Sequence, residues 1–263
     1  VHETPLSSIT DEHIVGNGAE MDIPFSSTNR TKNYRYMLNK KPPLGMSPIT
    51  PDRKWPGNIE GSYKKRLFRK VPVADPRLID RFHDFVKRWL RINVKPVQIM
   101  TFDEWLDNTS YNEQRKNQLR DARERCRRQR PSLSQCTKNK TFVKNESYPE
   151  YKHARMINSR TDLFKAWSGP LFKSIENSVY STIPQFIKHY PVPERAKVIA
   201  GMKHSGVRYF ATDFTAYESH FTPKLLEACE CLLYEHCLSS VPDDADFIRK
   251  VLTGKNCMST RTG

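Results

Sequence analysis

Apolar positions first fall into a regular rhythm after Asp75-Pro76. Leu78, Ile79, Phe82, Phe85, Val86, Trp89 and Leu90 recur every three or four residues, which predicts a helix whose one face packs into a core. Asp75 suits the N-cap, and Pro76 suits the first helical position, where an N–H would have no partner anyway. Thr101-x-x-Glu104 and Ser110-x-x-Glu113 both have capping-box spacing. The second opens a long helix to about Arg130, apolar only at Leu119, Ala122 and Cys126 and basic on its other faces. After Pro131 the pattern shortens and predicts strands from Thr141 to Lys144 and from Ala154 to Ile157. A helix is then expected from near Ser168, with Pro170 in its first turn, to Tyr180. Val207 to Phe214 alternates and is β-branched or aromatic, which predicts a buried strand. Thr222-Pro223 starts another helix, with Leu225, Leu226, Cys229, Leu232, Leu233 and His236 on one face. Residues 1 to about 74 are rich in Pro, Ser, Asn and Lys with weak periodicity, and are expected to form extended arms and loops on a larger body. No internal repeat is evident.

Charge changes this picture more than overall composition does. The 263 residues are 37% hydrophobic, sufficient for a packed core, yet carry a net charge of +15. So basic a chain favours polyanionic partners such as RNA, DNA or an anionic membrane surface. The excess is uneven. Residues 111–160 hold 14 Lys+Arg against 5 Asp+Glu, whereas residues 211–250 hold 3 against 8. A basic block followed by an acidic one suggests a phosphate-binding part beside a part that holds a cation, divalent metal being the obvious candidate. The six cysteines show no C-x-x-C spacing and a chain this long needs no disulfide scaffold, so free thiols in a reducing cytosol are expected. No run of about 18 apolar residues is present to span a membrane. There is neither a signal peptide nor an initiator Met, and the chain reads as an excerpt from a longer protein.

Three stretches carry chemistry. Lys144-Asn145-Glu146, with Lys152, Arg155 and Arg160, presents several cations from one hairpin or loop. Triphosphates call for that set, since Lys neutralises charge and Arg captures oxygens in pairs; an ordinary basic hairpin is the alternative. Asp213-Phe214-Thr215-Ala216-Tyr217-Glu218 ends the predicted buried strand. A carboxylate there can ligate Mg²⁺ in a fixed direction, although an Asp ending a strand also serves as a turn former or helix cap. Gly254 to Gly263, with Ser259, Thr260 and Thr262, reads as a flexible hydroxyl-bearing loop able to contact a ribose, or as a plain loop.

In this order the three stretches resemble the RNA-directed RNA polymerases of positive-strand RNA viruses, with most likeness to tombusvirus-like and nodavirus-like members. Residues 144–160 look like motif F, the basic fingers element that guides nucleotides. Asp213 to Phe221 looks like motif A, and Thr262-Gly263 like the opening of motif B, where the family usually has Ser-Gly. Phe102 to Leu119 loosely matches motif G, the element that admits the template. The likeness covers about residues 100–263.

The resemblance implies an α+β right-hand polymerase fold, with mainly helical fingers over 75–200 and the first strand and helix of the palm over 201–263; the loop-rich region over 1–74 rests on composition alone. It implies Asp213 as the catalytic carboxylate, binding metal with the main chain of Phe214. Lys144, Lys152, Arg155 and Arg160 would meet the NTP phosphates, with Glu218, Thr262 and Gly263 around the ribose. Glu218 stands where the family more often has Asp. The implied cofactors are two Mg²⁺ or Mn²⁺ ions, and the partners are RNA template and product, NTPs and the remaining C-terminal part of the polymerase. The implied location is the host cytoplasm, at membrane-associated replication complexes. The family's Gly-Asp-Asp, motif C, occurs nowhere in this sequence, so the isolated chain is expected not to polymerise. A non-catalytic basic RNA-binding viral protein is the competing reading. A reverse transcriptase is a third, disfavoured because that class tends to place a bulky aromatic where Glu218 stands.

Overall fold

The computed structural model describes residues 34–36, 49–53, 56–68, 71–148, 152–204, 206, 208–214 and 216–259. Two short strands, β1 (Tyr34–Tyr36) and β2 (Ile49–Pro51), pair antiparallel. Helices follow as α1 (Pro56–Arg66), α2 (Pro76–Asn93), α3 (Phe102–Asp107), α4 (Glu113–Arg128) and the single turn α5 (Leu133–Cys136). Strands β3 (Lys138–Val143) and β4 (Met156–Arg160) lead into the long α6 (Asp162–Thr182), then α7 (Val192–Gly201), α8 (Pro223–Ala228), α9 (Glu230–Cys237) and α10 (Pro242–Thr253). Strand β5 (Cys257–Ser259) lies parallel to β3, and β4 antiparallel to it, giving the order β4-β3-β5. The fold is thus mixed α+β, mostly helical with a small sheet. Among the described residues no helix is long and apolar enough to cross a membrane.

Helix α6 organises the interior because it is buried on more than one side. Ala166 joins Phe102, Leu106, Leu119 and Ala122 of α3 and α4. Leu171, Ile175 and Val179 join Leu90, Val94, Leu238 and Ile248, while Phe164 meets Cys136 and Val251. A separate cluster of Ile59, Tyr63, Phe68, Val143 and Ala154 seats α1 beneath the sheet.

Several local rules hold as the sequence implies. Asp75 accepts from the Arg77 amide at the start of α2, and Thr101 and Glu104 form a reciprocal capping box on α3. Thr222 caps α8.

Other expectations are corrected. Ser110-x-x-Glu113 makes no capping box: Asn112 caps α4 instead, accepting from the Arg115 amide at 2.9 Å. The helix expected from Ser168 begins at Asp162, capped by Thr161, and runs through Pro170. Pro170 cannot donate to the carbonyl of Ala166, but burial on several faces outweighs that one lost bond. The expected arms and loops give way to α1 at Pro56–Arg66, which gains its helix by packing under the sheet. The run expected from Thr222 breaks into α8 and α9 at Cys229, where φ is −134°. The predicted buried strand over 207–214 is absent across Arg208 to Phe214, which are exposed and irregular, Phe210 being 94% exposed. A strand needs a neighbour to satisfy its amides, and among the described residues none pairs with this stretch. All six cysteines are free, and burial pushes the Cys136, Cys231 and Cys237 thiols up to about 11.

Gly169 faces the Trp105 indole so closely that a Cβ there would overlap three ring atoms. Gly169→Ala should therefore destabilise the fold by about 1–3 kcal/mol and expose Trp105. Urea denaturation followed by tryptophan fluorescence would measure both.

Candidate functional site

The sheet presents its basic residues because alternation sorts β3 into two faces. Asn139, Thr141 and Val143 turn inward, while Lys138, Lys140 and Phe142 face out. Thr141 donates to the Asn158 side chain across the pair at 2.7 Å, which holds the register of β3 on β4. The ladder continues one step past the strands, the Lys144 amide donating to the Arg155 carbonyl at 2.8 Å. Lys144 and Arg155 therefore leave the open end of the hairpin side by side.

Glu146 gathers them. Its carboxylate accepts from Arg155 Nε at 2.7 Å and Arg155 Nη2 at 2.5 Å, from Lys144 Nζ at 2.5 Å, and from the Tyr148 hydroxyl at 2.9 Å. The Arg155 hydrogen bonds, then that from Lys144, hold the Glu146 carboxyl down at about 2. The loop is tied further to β2, Thr50 Oγ1 lying 2.7 Å from Ser147 Oγ. Lys152 is exposed, whereas Arg160 is partly buried and donates to the Cys136 carbonyl and the Asn256 side chain.

The second stretch is irregular but pinned at its far end. Asp213 and Phe214 are exposed, and Phe214 stacks loosely with Tyr217 and His220. Ala216 adopts φ +49°, a left-handed conformation costing a non-glycine residue about 1 kcal/mol or more. The buried Ser219 holds it there, its amide and hydroxyl both donating to the Ala216 carbonyl at 2.9 and 2.8 Å. A 3₁₀ turn over Tyr217–His220 follows, and Glu218 lies 3.6 Å from Arg66 at the end of α1. Since α1 packs beneath the hairpin, Arg66 ties the acidic stretch to the element that supports the basic one.

Thr262 and Gly263 lie outside the described residues. Among the described residues, no three His, Cys, Asp or Glu side chains gather where they could hold a metal ion. Asp213 with the Phe214 carbonyl is a smaller ligand set than a pair of divalent ions takes. Sequence reasoning assigned no role to Glu146, Tyr148 or Arg66. A carboxylate two residues after Lys144, within a run of cations, was the available signal for Glu146; Arg66 carried none, because its pairing is set by helix packing. The chain matches no protein-family model and no curated protein.

The depressed Glu146 group favours the folded loop wherever its carboxylate is charged. That contribution is fully present above the ordinary carboxylate range and is lost as pH falls through about 2. Amide exchange over 144–148 and 152–155 should thus stay protected down to pH 4, while Glu146→Gln should speed it several-fold at pH 7. Equal exchange in the two proteins would show that the three contacts do not order the loop.

Proposed function

We propose that this chain is part of an RNA-directed RNA polymerase, contributing the triphosphate-guiding fingers and the first carboxylate of the palm in a right-hand architecture. One observation carries the reading. Lys144 and Arg155 project together from one hairpin, held in a fixed geometry by Glu146, and the Asp213–Glu218 stretch is tethered to the helix under that hairpin. Cations with defined spacing beside a carboxylate-bearing stretch suit a substrate that joins a triphosphate to a ribose.

In this reading Lys144 and Arg155 exchange the Glu146 carboxylate for phosphate oxygens as an NTP arrives, and the exposed Lys152 adds charge. Arg160, its Nη1 engaged by two oxygens, contributes field from the base of the hairpin rather than a direct contact. Glu218 accepts from the ribose 2′-hydroxyl after parting from Arg66. Asp213 and the Phe214 carbonyl would supply part of a Mg²⁺ or Mn²⁺ site; the remaining ligands belong to a Gly-Asp-Asp segment that this sequence does not contain. RNA template, RNA product and the polypeptide carrying that segment are the partners, and host cytoplasm at membrane-associated replication complexes is the setting.

A second reading, a non-catalytic basic RNA binder, draws on α4. Arg120, Arg125, Arg127 and Arg128 line its exposed surface. Such a protein would bind RNA with steep salt dependence and no need for metal.

Nucleotide incorporation on an RNA template, by this chain mixed with a polypeptide containing Gly-Asp-Asp, separates the two. Activity in the mixture only, abolished by Asp213→Ala, is expected. Lys144→Ala and Arg155→Ala should each raise KM for NTP by about tenfold to a hundredfold, since each removes one charge-assisted phosphate contact of about 1.5–3 kcal/mol. A mixture that binds RNA in a salt-sensitive, metal-independent way yet incorporates nothing favours the second reading.

A further inference from the structure

A second cluster of cations lies on the far part of the helical body, formed by α2 and α9. Asp84, Lys87, Arg88 and Arg91 follow one another at i, i+3, i+4 and i+7, so they share one stripe of α2. With His236 of α9 they line a cavity of about 270 Å³. Its two walls are fixed to each other. His236 Nε2 lies 2.6 Å from the Val94 carbonyl, and the Val97 amide donates to the Cys237 carbonyl at 2.9 Å. A carbonyl can only accept, so Nε2 carries the hydrogen and the ring orientation is set. Beneath, Leu90 and Val94 pack with Cys237 and Leu238 in the largest core cluster.

The charges in this cavity are not balanced by the protein. Lys87, Arg88 and Arg91 form no ion pair among the described residues, whereas Lys64, Arg127, Arg249 and Lys250 each meet a carboxylate. The one carboxylate present, Asp84, sits 3.2 Å from His83 Nδ1. Arg91 lies in the last turn of α2, where a cation complements the helix dipole. Lys87 and Arg88 lie before that turn, so the dipole does not account for them.

We propose that this cavity is a binding site for a compact phosphate-bearing anion, separate from the proposed polymerase site. Two guanidinium groups can each take a pair of phosphate oxygens, and Lys87 supplies a point charge. The volume lies just below the range of small-molecule pockets, which begins at about 300 Å³, so one or two phosphate groups are what it fits. Asp84 offsets one of the three cations and weakens the site without abolishing it. The ligand's source is either soluble or a lipid headgroup. A lipid would also use the uncovered edge of α2 beside the cavity, where Leu78, Phe85 and Ile92 are 59%, 56% and 77% exposed at seven-residue spacing.

The test uses the full chain carrying Lys144→Ala and Arg155→Ala, so that the hairpin cations do not contribute. Titration with inorganic pyrophosphate by calorimetry and co-sedimentation with vesicles of phosphatidic acid in phosphatidylcholine are run in parallel. Binding of either probe is expected to fall about tenfold or more with Arg88→Ala/Arg91→Ala and to tighten several-fold with Asp84→Asn. Lys197→Ala/Lys203→Ala, on and just past α7, removes the same charge at exposed positions elsewhere and should change little. Pyrophosphate binding alone identifies a soluble ligand. Vesicle binding that is also lost with Phe85→Ser identifies a lipid. No binding of either probe, equal losses in the arginine and lysine double variants, or binding of a single-stranded RNA oligonucleotide alone overturns the proposal. Circular dichroism of each variant excludes unfolding as the cause of a loss, since all the substituted side chains lie on the surface.

Discussion

Arg160 is the joint on which the sheet and the helical body depend. It is the last residue of β4, and its Nη1 donates to the Cys136 carbonyl at 2.9 Å and to the Asn256 side chain at 2.5 Å. Its guanidinium lies 5.3 Å over the Phe164 ring. Asn256 in turn donates to the carbonyls of Val251 and Gly254, fixing the turn between α10 and β5. One cation therefore links α5, β4, the first turn of α6 and the segment that brings β5 onto β3. Burial pulls its pKa down, and no carboxylate is among its hydrogen-bond partners, so neutral oxygens and an aromatic face carry its solvation.

A second tie lies close by. Arg115 of α4 grips Asp162, at the start of α6, through both carboxylate oxygens at 2.7 and 2.5 Å. Arg130, past the end of α4, reaches the Asp244 carboxylate at 2.8 Å and lies over the Trp167 and Phe247 rings. Three of the cations between 111 and 160, Arg115, Arg130 and Arg160, are thus engaged by contacts within the molecule. Asp244 lies in the first turn of α10, and its carboxylate accepts from Arg130. The hairpin inherits a fixed base at Arg160 and an open end at Lys144 and Arg155, where Glu146 rather than a helix sets the geometry.

How far the sequence could be read depended on the range of the interaction. The caps at Asp75, Thr101 and Thr222 were legible because donor and acceptor lie within three residues of each other. The hairpin cations were legible because β3 and β4 follow each other and pair antiparallel, which brings Lys144 and Arg155 to the same end of the ladder. Ser110 misled because Asn112, an equally good cap two residues on, takes the helix start instead. Pro170 misled because its cost is local, whereas the burial that offsets it comes from several other helices.

The sequence by itself determined the mixed α+β class, the caps at Asp75, Thr101 and Thr222 and the segregation of basic from acidic segments, all of which follow from residue type and short-range spacing. Tertiary structure alone decided which cations are engaged and which remain open. Arg160 and Arg115 are consumed in joints, Lys144 and Arg155 are focused by Glu146, and Lys87, Arg88 and Arg91 are left facing a cavity. It also decided that 208–214 does not pair, since a strand's stability resides in its neighbour and not in its own alternation. The physical reason is common to both cases. A side chain's charge is written in the chain, but whether that charge meets a carboxylate, a carbonyl or solvent depends on contacts between residues tens of positions apart.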